Sequence, residues 1–232
     1  NTKYLLLNDP HNPTGALMSL ETKQGLIKLA EHYGFQIFSD EVYRLLEFSP
    51  QDRSPSMADL STKCISLGTM SKPWGAGGTG IGWIVCQNKK VIEKTLRAQH
   101  IYSVCFSRAG EIQAMMTLKL SDQIISRNMK IIEDNLTMLD QFFKDYENLF
   151  EWVRPKAGGT GFVKFKGPIS GDKLASELLE EGILVFPPSI FHCEENLAQY
   201  FRIGFSRKKM MASLEAFKKF INKNREQWLK NK

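Results

Sequence analysis

Short apolar runs of strand length alternate with longer stretches of helical period along this chain. That alternation constrains its fold more than any other feature. Tyr4 to Leu7 is an apolar run followed by the turn-rich segment Asp9-Pro10-His11-Asn12-Pro13-Thr14-Gly15. Ser19 predicts an N-cap for a helix through Leu26, Ile27, Leu29 and Ala30, closed by Gly34. Phe35 to Phe38 predicts a strand ending at Ser39-Asp40, Ile65 to Leu67 a second, and Ile81 to Cys86 a third after a glycine-rich turn. Strands and helices in this order predict β-α-β units and a mainly parallel sheet. Polar residues then fall just past strand C-terminal ends, where open α/β sheets bind ligands.

The pattern resets further on. From about Ala109 to Tyr146 the spacing predicts helix, with Ile112, Met116, Leu120, Ile124, Ile131, Leu136, Leu139 and Phe142 forming the apolar stripe. Phe162 to Phe165 alternates like a half-buried strand, and Leu174 to Leu179 reads as an amphipathic helix. Ile183 to Phe186 and Tyr200 to Phe205 read as strands, and a basic helix ends the chain. The expected fold class is α/β, with a large-domain portion over 1–120 and a smaller C-terminal α+β domain over 121–232 that includes the linking helix.

Composition narrows the function classes. With 232 residues, 42% hydrophobic and 24% charged, the chain can bury a sizeable core and is neither disordered nor fibrous. Its net charge is +6, from 31 basic and 25 acidic residues. The surplus is concentrated after Arg207, where basic residues interrupt the apolar positions Met211, Leu214, Phe217, Phe220, Ile221 and Trp228. A solvated helix face explains this better than a nucleic-acid or membrane surface. Cys64, Cys86, Cys105 and Cys193 form no C-x-x-C pair, and the adjacent His192 and Cys193 do not make a metal site. Reduced thiols, a cytoplasmic setting and no metal are expected. No apolar run approaches membrane-spanning length. No leader is visible, although the chain opens with Asn1.

Four local signals follow in order: His11-Asn12-Pro13-Thr14-Gly15, Ser39-Asp40-Glu41-Val42-Tyr43, Thr69-Met70-Ser71-Lys72 and Phe201-Arg202-Ile203-Gly204-Phe205. Each alone has an ordinary explanation: a surface lysine, a helix-capping aspartate, a packed tyrosine, an ion-paired arginine. Together they match one cofactor's needs. An aldehyde-bearing pyridine requires a lysine, a carboxylate for its ring nitrogen, donors for its phenolic oxygen and hydroxyls for its phosphate. A substrate carboxylate requires a guanidinium that makes two parallel hydrogen bonds.

With these motifs the sequence resembles the fold-type I, class I/II aminotransferases that use pyridoxal 5′-phosphate (PLP), and in particular the C-terminal part of the usual chain. The resemblance implies that Lys72 forms the Schiff base and shuttles the substrate's Cα proton. Asp40 would pair with the pyridine nitrogen, Asn12 and Tyr43 with the phenolic oxygen, and Thr69 and Ser71 with the phosphate. Arg202 would bind the substrate α-carboxylate. Implied partners are small α-amino acid and 2-oxo acid substrates and a second copy in a homodimer, with no nucleic acid or membrane. One position departs from the family pattern: Gly80 stands eight residues after the lysine, where an arginine normally clamps the phosphate. The alternatives are a lyase or cyclase of the same fold, or a catalytically idle relative that binds a partner.

Overall fold

The computed structural model describes residues 2–191 and 195–230, so the His192-Cys193 pair lies outside the described residues. In chain order the elements are β1 (Tyr4–Asn8), α1 (Leu20–Tyr33), β2 (Gln36–Asp40), α2 (Met57–Leu60), β3 (Cys64–Thr69), β4 (Gly82–Cys86), α3 (Lys89–Tyr102), α4 (Arg108–Lys119), α5 (Ser121–Asp145), β5 (Phe150–Trp152), β6 (Thr160–Phe165), α6 (Gly171–Glu180), β7 (Tyr200–Gly204) and α7 (Met210–Lys230). They fall into two compact units. The first comprises Asn1–Asn12, Ala16–Met129 and Lys156–Gly158; the second comprises Pro13–Gly15, Lys130–Pro155 and Gly159–Lys232.

The first unit carries a four-stranded sheet in the order β1-β2-β3-β4. β1, β2 and β3 are parallel, with Asn8 opposite Asp40 and Asp40 opposite Leu67. The α1 crossover makes the first pairing possible. Ser19 caps it, its Oγ accepting the Thr22 amide at 3.1 Å, and left-handed Gly34 ends it. β4 runs antiparallel to β3. Residues 70–81 fold back on themselves, closed at their base by the Met70 amide donating to Ile81 O at 3.1 Å, which returns the chain alongside its own strand. Ile27, Ala30, Ile37, Met57 and Cys64 form one buried cluster. A second joins Met70, Trp74 and Ala114 with Leu45, Ile81, Ile124 and Ile125. Burial pushes the Cys64 thiol up to about 11, with the nearby Glu41 carboxylate adding to the effect.

The second unit holds a three-stranded antiparallel sheet, β5-β6-β7. Its core is aromatic: Phe150 lies 5.5 Å from Phe165 and 5.7 Å from Phe217, and Phe165 lies 5.0 Å from Trp228. Buried Asn135 on α5 donates its Nδ2 to Phe205 O at 2.8 Å and Arg207 O at 2.7 Å, fixing the chain just past β7.

Local detail adds to or departs from the sequence pattern at three places. The helical stretch expected from about 109 to 146 is divided into two helices, α4 and α5. The backbone leaves helical geometry at Leu120, and Ser121 and Asp122 begin a new first turn. α3 was not foreseen, because its apolar positions make no continuous stripe and none of its residues is buried. Ile183 to Phe186 is no strand: only Phe186 bridges to Arg202, and Pro187-Pro188 prevents further pairing.

Candidate active site at the strand ends

Asn12, Asp40 and Thr69 follow or end β1, β2 and β3, so the parallel register brings them to one edge of the sheet. Asp40 is the pivot. Its carbonyl accepts the Asp9 amide at 3.0 Å and Asn8 Nδ2 at 3.1 Å, and Asn8 Oδ1 in turn accepts the Asn12 amide at 2.6 Å. The Asp40 carboxyl group is oriented by the Val42 amide, which donates to Oδ1 at 3.1 Å and leaves Oδ2 available to a partner.

The neighbouring Glu41 is buried. Its Oε1 accepts the Met57 amide at 2.9 Å and Ser66 Oγ at 2.8 Å, while its own amide donates to Leu67 O at 3.0 Å. These bonds tie the segment carrying Asp40 and Tyr43 to α2 and β3. The sequence showed Glu41 but not this task; the available signal was a carboxylate placed directly behind a strand.

Tyr43 is buried and rests on Gly158, where an added Cβ would meet the ring at 3.4 Å and where φ is +82°. The backbone angle favours glycine there, and the ring sits at ordinary van der Waals distance from the position a Cβ would take. The Gly158 amide donates to Leu46 O at 2.9 Å, so this support is itself anchored. Lys72 Nζ lies 5.5 Å from the Tyr43 ring centroid. The lysine loop is held by Trp74, whose Nε1 donates to Ser121 Oγ at 2.8 Å, and by Asn128, whose Nδ2 donates to Pro73 O at 2.8 Å. Thr69 Oγ1 and Ser71 Oγ are 3.0 Å apart. Gly80, in place of an arginine, has φ +64°, a backbone that glycine favours, with open space around it.

Six of the seven residues singled out in the sequence, Asn12, Asp40, Tyr43, Thr69, Ser71 and Lys72, therefore stand in the first unit at or beside these strand ends. Arg202 stands in the second unit, on β7. Carboxylate, primary amine, phenol, carboxamide and paired hydroxyls form a donor set that suits PLP. Among the described residues, no group of three or more His, Cys, Asp or Glu could hold a metal.

A buried ion pair that the sequence did not reveal fixes the loop before Asn12. Lys23 Nζ on α1 lies 2.6 Å from Asp9 Oδ2 and donates to Ser54 Oγ at 2.7 Å, while Asp9 Oδ1 accepts the Met18 amide at 2.8 Å. Beside it, partial burial lowers His11 below the usual histidine value of 6.5, the Asp9 charge pulling the other way. A lowered folded value means that the unfolded chain takes the proton first as pH falls. Stability is then full above 6.5 and declines as pH drops toward the folded value. His11→Gln is expected to flatten that decline in urea midpoints measured from neutral pH to about pH 5. An equal slope in both proteins would remove His11 from the pH response.

The family model for aminotransferase class I and II matches residues 1–217. The chain is 26% identical over 212 residues to a probable aspartate aminotransferase of Methanocaldococcus jannaschii, covering 89% of this chain and 55% of that protein. It is 26% identical over 207 residues to capreomycidine synthase of Streptomyces vinaceus, covering 88% of this chain and 51% of that one. A PLP-dependent aminotransferase structure from Streptococcus suis superposes with a TM-score of 0.85 at 30% identity, covering 96% of this chain and 58% of the other. The chain thus spans about half the length of the curated relatives it matches. The match over most of the chain shows that it belongs to the class I and II aminotransferase family.

Proposed function

We propose that this protein is a PLP-dependent aminotransferase that moves an amino group between an α-amino acid and a 2-oxo acid. The observation that carries this reading is the gathering of Asn12, Asp40, Tyr43, Thr69, Ser71 and Lys72 at one edge of a single sheet. Bound PLP would supply an aldehyde that condenses with amines and a ring that accepts the electron pair released from the substrate Cα.

The protein's own residues do the rest. Lys72 Nζ would hold the cofactor and, once its amine is free, would take the proton from the substrate Cα and carry it on to the cofactor rather than back to Cα. Asp40, with the Val42 amide holding its Oδ1, would accept a hydrogen bond from the protonated ring nitrogen. The Tyr43 hydroxyl and the Asn12 carboxamide would donate to the phenolic oxygen, and Thr69 and Ser71 to the phosphate. Arg202 grips the substrate α-carboxylate. The working domain division remains 1–120 for the cofactor-binding portion and 121–232 for the small domain. A cytoplasmic homodimer completes the reading. Among the described residues, no helix is long and apolar enough to cross a membrane.

A second reading is a lyase or cyclase of the same fold that shares the cofactor. The two part when the PLP-loaded protein receives L-aspartate or another amino donor without an acceptor. Conversion that stops at one equivalent per site is the expected result, and turnover that continues without a 2-oxo acid would replace transfer with the alternative. Arg202→Ala is expected to raise KM for the donor about a hundredfold while leaving the visible spectrum of bound cofactor intact. An unchanged KM would take Arg202 out of the substrate site.

A further inference from the structure

Arg202 occupies the half-buried face of β7, where Phe201 and Ile203 on either side point into the core. Two phenylalanines flank its guanidinium, with the Phe186 centroid 4.2 Å from the guanidinium carbon and the Phe191 centroid 5.4 Å away. Phe186 is tied to the arginine by backbone as well. Its amide donates to Arg202 O at 3.0 Å and its carbonyl accepts the Arg202 amide at 2.8 Å, so the two are cross-strand partners. On the other side, Phe162 pairs with Arg202 in the β6–β7 register, and its ring lies 6.1 Å from that of Phe191. Pro187 and Pro188, which end the pairing after Phe186, carry the chain directly into the turn that bears Phe191.

A guanidinium lying over an aromatic face is attracted by the ring's quadrupole, and its N–H donors stay in the guanidinium plane, pointing past the ring edge. Contact with the two rings restrains the guanidinium before a ligand arrives, so part of the side-chain ordering that binding would otherwise demand is already done.

We infer that Phe186, assisted by Phe191, is a positioning residue for carboxylate binding: its ring fixes the plane of the Arg202 guanidinium so that an N–H edge is presented to a carboxylate. This rests on the reading of Arg202 as the carboxylate-binding residue.

The experiment uses the PLP-loaded protein, succinate as a carboxylate that cannot be transaminated, and the variants Phe186→Leu, Phe186→Tyr and Arg202→Ala. In the protein without succinate, the Arg202 Nε–Hε signal is expected at a ring-current-shifted position that Phe186→Leu abolishes and Phe186→Tyr retains. Succinate affinity is expected to fall about fivefold in Phe186→Leu, to be kept in Phe186→Tyr, and to be lost in Arg202→Ala. For amino donors, Phe186→Leu is expected to raise KM and spare kcat. An Arg202 signal that is the same in the parent and Phe186→Leu overturns the positioning role, whatever succinate does. If Arg202→Ala loses succinate while Phe186→Leu binds it normally, the positioning role fails and the substrate reading stands. If Arg202→Ala binds succinate as tightly as the parent, the substrate reading itself fails.

Discussion

Lys72→Ala in the PLP-loaded protein is expected to lower the rate of amino transfer by roughly ten-thousandfold or more, because the proposed mechanism makes one side chain both covalent anchor and proton carrier. The lysine follows Ser71 at the mouth of a loop pinned by Trp74 to Ser121 and by Asn128 to Pro73, which sets where its amine reaches. The nearby Tyr43, 5.5 Å from Nζ, offers a ring and a phenol rather than a second amine. Lys72→Arg is an informative companion: it keeps a cation over the Tyr43 ring but supplies no nucleophile, so it is expected to be as inactive as the alanine variant. Borohydride treatment of the parent protein should attach the reduced cofactor mass to the peptide bearing Lys72. A Lys72→Ala protein that retains even a tenth of the parent rate, or a reduced adduct mapping to another lysine, would end the proposed mechanism.

Much of this arrangement was legible in the sequence because its signals are local. Ser19 and Gly34 mark the ends of α1, and the periodicity change from Ile27 to Ile37 marks the step from helix to strand. Asp40 and Thr69 could be placed at strand ends for the same reason. What could not be read was structure made by pairing distant residues. Asp9 and Lys23 lie on a loop and a helix with no shared pattern, and Glu41 meets Ser66 only because β2 and β3 are parallel neighbours. The break at Leu120 was hidden because an apolar stripe continues through it. The run from Ile183 to Phe186 misled for the opposite reason: its residues suit a strand, but proline at the next two positions leaves a single bridging residue.

The largest stability effect is expected from that unforeseen ion pair. Lys23→Met should destabilise the protein by about 3–5 kcal/mol, the usual result of leaving one member of a buried pair behind. Both partners are nearly sequestered, with side-chain exposures of 3% for Lys23 and 6% for Asp9. The stranded carboxylate would keep the Met18 amide at 2.8 Å as a donor but lose its ammonium partner, and Ser54 Oγ would lose the same ammonium at 2.7 Å. Methionine replaces the aliphatic stem of lysine closely, so the loss is electrostatic rather than a packing defect. Adding Asp9→Asn to Lys23→Met should recover a large part of the loss, since a neutral carboxamide still accepts from the Met18 amide without the cost of an unpaired charge. The same change should reach the site. Asp9 donates its amide to Asp40 O at 3.0 Å, so slackening the loop loosens the segment that carries Asn12 and weakens cofactor binding beyond what global stability accounts for. Urea unfolding of the parent, both single variants and the double variant, together with cofactor titration under folding conditions, measures each part. Additive single-variant losses with no recovery in the double variant would show that Asp9 and Lys23 do not act on each other, and cofactor affinity unchanged in Lys23→Met would detach the pair from the site.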